Sequence, residues 1–126
     1  KTALQKNQQL IANMKMPQSG KKKIAIPSAK GLDFIEIQEI IRCEGVNGYT
    51  VLHIKNQGQL VSSYSIGHFY KMLNHLNFFL IHKSHLINLD CLVRYDRSGY
   101  VELSNNQSIP VARNRKEAFL DRIENN

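Results

Sequence analysis

Three short groups of residues carry the side chains best suited to binding chemistry. Asn47-Gly48-Tyr49 is the first, His82-Lys83-Ser84-His85 the second, and Arg113 with Arg115 and Lys116 the third. Arg presents a planar fork that fits a guanine edge bidentately, whereas Lys offers a point charge suited to phosphate. Asn, Tyr and His add further hydrogen-bond donors. Each group falls at an expected strand end, loop or helix start, where side chains project from a rigid scaffold. The same residue types also suit ordinary surface charges, and residue type by itself does not separate the two readings.

Other chemistry is less well supported. The sequence holds no G-x-S-x-G, P-loop, G-x-G-x-x-G or H-E-x-x-H pattern, so no enzyme is expected. A nucleophilic Cys43 with His53 or His85 as its base stays open, although Cys43 sits mid-strand among apolar neighbours. His82 and His85 are three apart, a spacing that would put both on one face of a helix. At a strand end the same spacing is expected to turn them to opposite faces. No further ligand accompanies them, so neither metal nor cofactor is expected. The sequon Asn106-Gln107-Ser108 is read as chance, since nothing indicates secretion.

Composition sets the class. The chain has 126 residues, 42% hydrophobic and 21% charged, enough for one domain with a real core and a short appendage. Its longest apolar run is Phe78-Phe79-Leu80-Ile81, far too short to span a bilayer. No signal peptide is recognisable in Lys1-Thr2-Ala3-Leu4-Gln5-Lys6. The absence of Met at position 1 suggests an excised piece of a longer protein. Cys43 and Cys91 each sit among apolar residues, which favours reduced thiols in a cytoplasmic setting over a disulfide. A formal charge of +7 and a pI near 9.6 create a field that attracts polyanions, nucleic acid or anionic membrane.

The elements that must position the three groups are mostly strands. Residues 1 to about 16 have helical spacing in Ala3, Leu4, Leu10, Ile11 and Met14, and Pro17-Gln18-Ser19-Gly20 breaks it. This reads as a linker helix and hinge over 1–20, with the folded domain over 21–126. Alternating segments predict strands over 24–27, 32–37, 40–44, 49–55, 59–64, 78–81, 91–96, 100–103 and 107–111. Turns fall at Gly45-Val46-Asn47-Gly48, Asn56-Gln57-Gly58 and Arg97-Ser98-Gly99. Ser65 caps a helix over about 66–76 that Asn77 ends, with Ile66, Phe69, Tyr70, Leu73 and Leu76 inward. Asn114 or a neighbour caps a last helix to about Glu124. The fold class is therefore mainly β with two short helices, a sandwich or meander without βαβ units.

The order of these motifs resembles LytTR-type DNA-binding domains. Ile40-Ile41-Arg42-Cys43-Glu44-Gly45-Val46-Asn47-Gly48-Tyr49-Thr50 is similar to that family's "I-x-x-x-E-x-x-x-N/x-Y-T" strand and turn. Phe78 to Leu89 resembles its "F-x-R-I-H-R/K-S-Y-L-V-N-L" signature, and Pro110-Val111-Ala112-Arg113 its closing "P-V-S-R" before a helix. The resemblance runs from about Ile24 to Ile123. Leu80, His85 and Ala112 depart from it, standing where the family has Arg, an aromatic and Ser.

The resemblance implies an elongated antiparallel β domain that inserts loops into successive major grooves of direct-repeat sites in double-stranded DNA. It also implies the output domain of a two-component response regulator, behind a receiver through which a homodimer could form. Carried over residue by residue, Asn47, Gly48, Tyr49, His82, Lys83 and Arg113 would contact DNA. Ser84 and Asn88 would organise the loop by backbone hydrogen bonds. Arg115 and Lys116 join as phosphate contacts by position alone. The alternative is a β-rich module that binds a protein or small ligand, its basic charge incidental.

Overall fold

The computed structural model describes residues 22–124. The linker helix and hinge expected over 1–20 lie outside them. Among the described residues, ten strands form three antiparallel sheets, accompanied by two helices. Strands β1 (Lys23–Ser28) and β2 (Gly31–Glu36) make a hairpin. The central sheet holds β3 (Ile40–Val46), β4 (Tyr49–Ile54), β5 (Gly58–Ser62), β6 (Phe78–His82) and β7 (His85–Asn88) in the order β5-β4-β3-β7-β6. The third sheet runs β10-β9-β8, from β8 (Leu92–Asp96), β9 (Tyr100–Leu103) and β10 (Ser108–Pro110). No helix among the described residues is long and apolar enough to cross a membrane.

The central sheet is packed on both faces, so its inner strands carry buried residues at consecutive positions. One face packs against the first hairpin and α1 (Ile66–Leu73), in a core of Ile26, Ile35, Ile40, Cys43, Leu52, Ile54, Phe69, Leu73, Phe78 and Leu86. The other packs against the third sheet and α2 (Lys116–Glu124), in a core of Ile41, Ile81, Ile87, Cys91, Val101, Leu103, Ile109 and Phe119. The Phe119 ring lies between Phe79 and Tyr95, with centroids 5.6 and 5.9 Å away.

Adjacent residues serve different cores by the ordinary alternation of a strand, and two strands carry bulges that interrupt it. Ile40 pairs with Ile54 but Arg42 with His53, leaving Ile41 as the extra residue. Leu80 pairs with Leu86 but His82 with His85, leaving Ile81 extra. A bulge changes the pleat's parity and re-aims every side chain beyond it. Ile41 and Ile81 face the second core, and the bulges turn Arg42 and His82 to that same side instead of the opposite one.

The helices differ from their expected bounds. Ser65 caps α1 as expected, its Oγ accepting the His68 N–H at 3.2 Å. The helix stops at Leu73, short of 76, and Asn77 takes φ +68° before β6. Asn114 is not a cap: Arg113–Arg115 form a 3-10 turn whose N-cap position is Ala112, with no side-chain hydrogen bond.

Two predictions follow from this packing. A Cβ on Gly45 would meet Ile66 Cγ2 at 3.1 Å, where α1 approaches β3. Gly45→Val should therefore destabilise the domain by about 1–3 kcal/mol, read as a lower urea midpoint at unchanged m-value. Ala112→Ser should supply the missing cap and raise stability by about 1 kcal/mol in the same assay.

Candidate nucleic-acid interface

The three groups of polar residues converge on one end of the central sheet. Strands β3 and β4 are joined by the two-residue turn Asn47-Gly48, with Val46 opposite Tyr49. Asn47 has φ +50° and Gly48 φ +92°, the doubly left-handed pattern of a type I′ hairpin turn that Asn-Gly favours. Asn47 and Gly48 are exposed, and Tyr49 is 37% exposed beside them.

The neighbouring hairpin, β6 to β7, turns at Lys83-Ser84 with His82 opposite His85. The two turns are held side by side because β3 pairs with β7, Glu44 opposite His85. One main-chain bond closes the arrangement, the Gly45 N–H donating to the Ser84 carbonyl at 2.9 Å. The third group joins through the Ala112 N–H, which donates to the Ile81 carbonyl at 2.8 Å. That bond brings exposed Arg113 alongside the open edge of β6.

The two histidines do not point to opposite faces. The chain reverses between them, so they are cross-strand partners with ring centroids 5.1 Å apart. His82 Nδ1 accepts the Ser84 N–H at 3.1 Å. An acceptor nitrogen carries no proton, so the neutral ring holds its hydrogen on Nε2. Lys83 stands exposed at the tip of the turn.

The other expected site residues fall as follows. Ser84 acts through its main chain, by the two bonds to Gly45 and His82. Asn88 also bonds main chain, its Nδ2–H to the Ile40 carbonyl and its Oδ1 to the Asp90 N–H, both at 2.9 Å. Those bonds lie at the far end of β7, away from the His82–Lys83 turn, so Asn88 ties strand β7 to β3 rather than organising that turn. Arg115 lies in the 3-10 turn and is half-buried, while Lys116 is the exposed first residue of α2.

A buried polar cluster behind the turns was not anticipated. Arg42, 6% exposed, donates from Nε to Gln107 Oε1 at 2.7 Å and lies 3.2 Å from His85 Nδ1 through Nη1. The same Nη1 is 3.5 Å from Glu44 Oε1, which accepts from His53 Nε2 at 3.0 Å. Burial, then the Arg42 and His82 charges, hold the His85 pKa down to about 4. Burial likewise lowers that of His53, against the pull of Glu44. Burial pushes the Glu44 carboxyl up, but the His53 hydrogen bond and Arg42 charge together keep it below its ordinary value. Only the alternation of Arg42, Glu44 and His53 with apolar residues could have signalled this cluster, since its partners are distant in sequence.

Alternative chemistries find little purchase. Burial raises the Cys43 thiol to about 12, leaving a negligible thiolate fraction at neutral pH. No cluster of three or more His, Cys, Asp or Glu residues suited to a metal occurs among the described residues. A cleft of about 500 Å3 beside Lys23, Asp33, Phe34, Glu36, Glu39 and Gln57 shares no residue with the three groups.

Comparison with known proteins places these features in context. A family model described as the LytTr DNA-binding domain matches residues 30–124. Among solved structures, the chain is similar to the LytTr DNA-binding domain of a protein described as a methyl-accepting/DNA response regulator from Bacillus cereus. The TM-score is 0.66 at 18% identity, covering 79% of this chain and 94% of that one. No curated protein matches the chain.

The buried imidazoles dictate how stability responds to acid. Folded His85 titrates near 4 against an ordinary value of 6.5, and His53 is also depressed. The unfolded chain therefore binds protons first as pH falls. The stabilising contribution of neutral His85 is complete above about pH 6.5 and is lost progressively towards pH 4. Urea unfolding between pH 7.5 and 4.5 should show stability falling by roughly 1 kcal/mol per pH unit across that window. His85→Phe should flatten the slope.

Proposed function

The chain belongs to the LytTr DNA-binding domain family, and from that premise we propose that it binds double-stranded DNA sequence-specifically through the Asn47–Tyr49, His82–Lys83 and Arg113 end of its central sheet. DNA binding and transcription regulation come with the family. The observation that carries the finer reading is the convergence of three separate segments on one sheet end, locked by the Gly45–Ser84 and Ala112–Ile81 main-chain bonds.

The dimensions suit a duplex. From Tyr49 on β4, across β3, β7 and β6, to Arg113 is four strand spacings, about 19 Å. That exceeds the major groove's width of about 12 Å, so the array reaches beyond a single groove. Tyr49, Lys83 and Arg113 thus suit contacts with successive grooves and the phosphates between them. Arg113 is assigned to a base edge, His82 and Lys83 to base edges or backbone, and Asn47, Gly48 and Tyr49 to the adjoining groove. Arg115 and Lys116 follow as phosphate contacts, drawn in by a net charge of +7. Direct-repeat promoter sites are the natural targets of such a one-sided array.

The Bacillus cereus relative is described as part of a response regulator. By that likeness we read this chain as the cytoplasmic output domain of a two-component regulator, with homodimerisation supplied by a receiver outside the sequence.

Selection from a genomic fragment pool, followed by mobility shifts at increasing salt, tests the reading. Arg113→Ala should compress the affinity ratio between selected and unselected sites, at a loss of about 1–3 kcal/mol on the selected one. Lys116→Ala should weaken all sequences about equally and reduce the salt slope by about 1. Failure of the wild-type chain to retain any fragment, even at low salt, would sink the proposal.

A further inference from the structure

We propose that Arg42 is a positioning residue for the DNA-reading surface: its buried guanidinium fixes His85 as a neutral Nε2–H donor and aligns the His82–Lys83 turn with the chain leading to Arg113. This deepens the DNA-binding reading above and rests on it. Arg42 itself, at 6% exposure, is too deep to touch DNA.

Hydrogen-bond chemistry settles the state of His85. A guanidinium has five N–H donors and no acceptor. At 3.2 Å from Arg42 Nη1, His85 Nδ1 must therefore be the unprotonated nitrogen, and Nε2 carries the hydrogen. The Nδ1 of its partner His82 is occupied by another route, accepting the Ser84 N–H. The two rings, 5.1 Å apart, thus have both Nδ1 lone pairs engaged. Their Nε2–H groups remain as donors for acceptors such as guanine N7, guanine O6 or a phosphate oxygen.

The reach of Arg42 extends further. Its Nε donates to Gln107 at 2.7 Å, in the turn between β9 and β10. Strand β10 leads through Val111 and Ala112 directly to Arg113. A single side chain on β3 thereby braces β7 and the segment that delivers Arg113. The charged and titratable groups around His85 are Arg42 and Glu44 from β3, His53 from β4 and His82 from β6. Of these, Arg42 is the cation in hydrogen-bond contact with the ring, and a second proton on Nδ1 would face its N–H directly. An aromatic hydrocarbon ring in place of His85 would pack there without supplying this acceptor.

The test combines DNA binding with a histidine titration by NMR. Arg42→Gln should lower affinity for a selected site about tenfold at pH 7.5 and move the His85 midpoint from near 4 upward towards 6.5. Arg42→Lys keeps the charge without the fork; it should leave the midpoint low and recover only part of the affinity. His85→Phe preserves the Gln107 and Glu44 contacts, so it reports even if Arg42→Gln folds poorly. It should lose several-fold in affinity, and the Arg42→Gln, His85→Phe double variant should lose much less than the product of the singles. A folded Arg42→Gln variant with wild-type affinity, an unmoved His85 midpoint or strictly multiplicative losses would each overturn the proposal. Absence of DNA binding by the wild-type chain would instead refute the DNA reading itself, and the positioning role with it.

Discussion

Everything at the turn-bearing end of the central sheet depends on the antiparallel pairing of β3 with β7. Arg42, Cys43 and Glu44 pair with Ile87, Leu86 and His85, residues more than forty positions away. Closing so long a loop carries an entropic cost before any contact rewards it. The reward comes from both faces at once. Leu86 packs with Cys43 in one core and Ile87 with Ile41 in the other. A strand pair buried on both sides cannot slip by one residue without exchanging its two cores. Register is therefore set deep in the domain, and the Gly45–Ser84 bond carries that register out to the two turns.

The electrostatics divide along the same line. At the tip, Lys83 and Arg113 are exposed and solvated, where charge attracts a polyanion at little cost to folding. Behind them, burial works against the Arg42 cation while the nearby Glu44 offsets it. Glu44 in turn holds His53 at 3.0 Å. A buried cation survives only where its donors are occupied, and Gln107, His85 and Glu44 supply those partners from three different segments. Burial first, and then the charge of the guanidinium, hold the His85 imidazole below its ordinary pKa.

Much of this was legible in the sequence, wherever the signal was local. Asn47-Gly48 announced a turn because its backbone preference is intrinsic, and Ser65 announced a helix start because capping acts over three residues. The mainly β class with two short helices followed from short alternating segments separated by turn residues. What escaped was long-range. Nothing within a few residues of Ile41 or Ile81 distinguishes a bulge from regular pleating, and the spacing of His82 and His85 reads as one strand end where the chain in fact reverses. Arg42 read as an ordinary strand cation because its partners Gln107 and His85 stand 65 and 43 positions away. Asn88 carried the chemistry of a loop organiser, but its end of β7 decided which backbone it could reach. The resemblance brought the site residues together before the fold did, since motif order carries spatial information that composition lacks.

The bulge at Ile81 has a consequence for exchanging parts between related domains. Between the buried Phe78 and the exposed Lys83, the number of residues matters as much as their kind. A graft that imported the tip sequence onto a strand without the extra residue would keep every donor and acceptor, yet deliver them rotated to the opposite side of the sheet. The smallest transferable unit is therefore not the turn but the turn together with its irregular strand and the β3 segment that carries an irregularity of its own. A change of specificity by loop replacement has to be counted along the backbone before it is chosen by side chain.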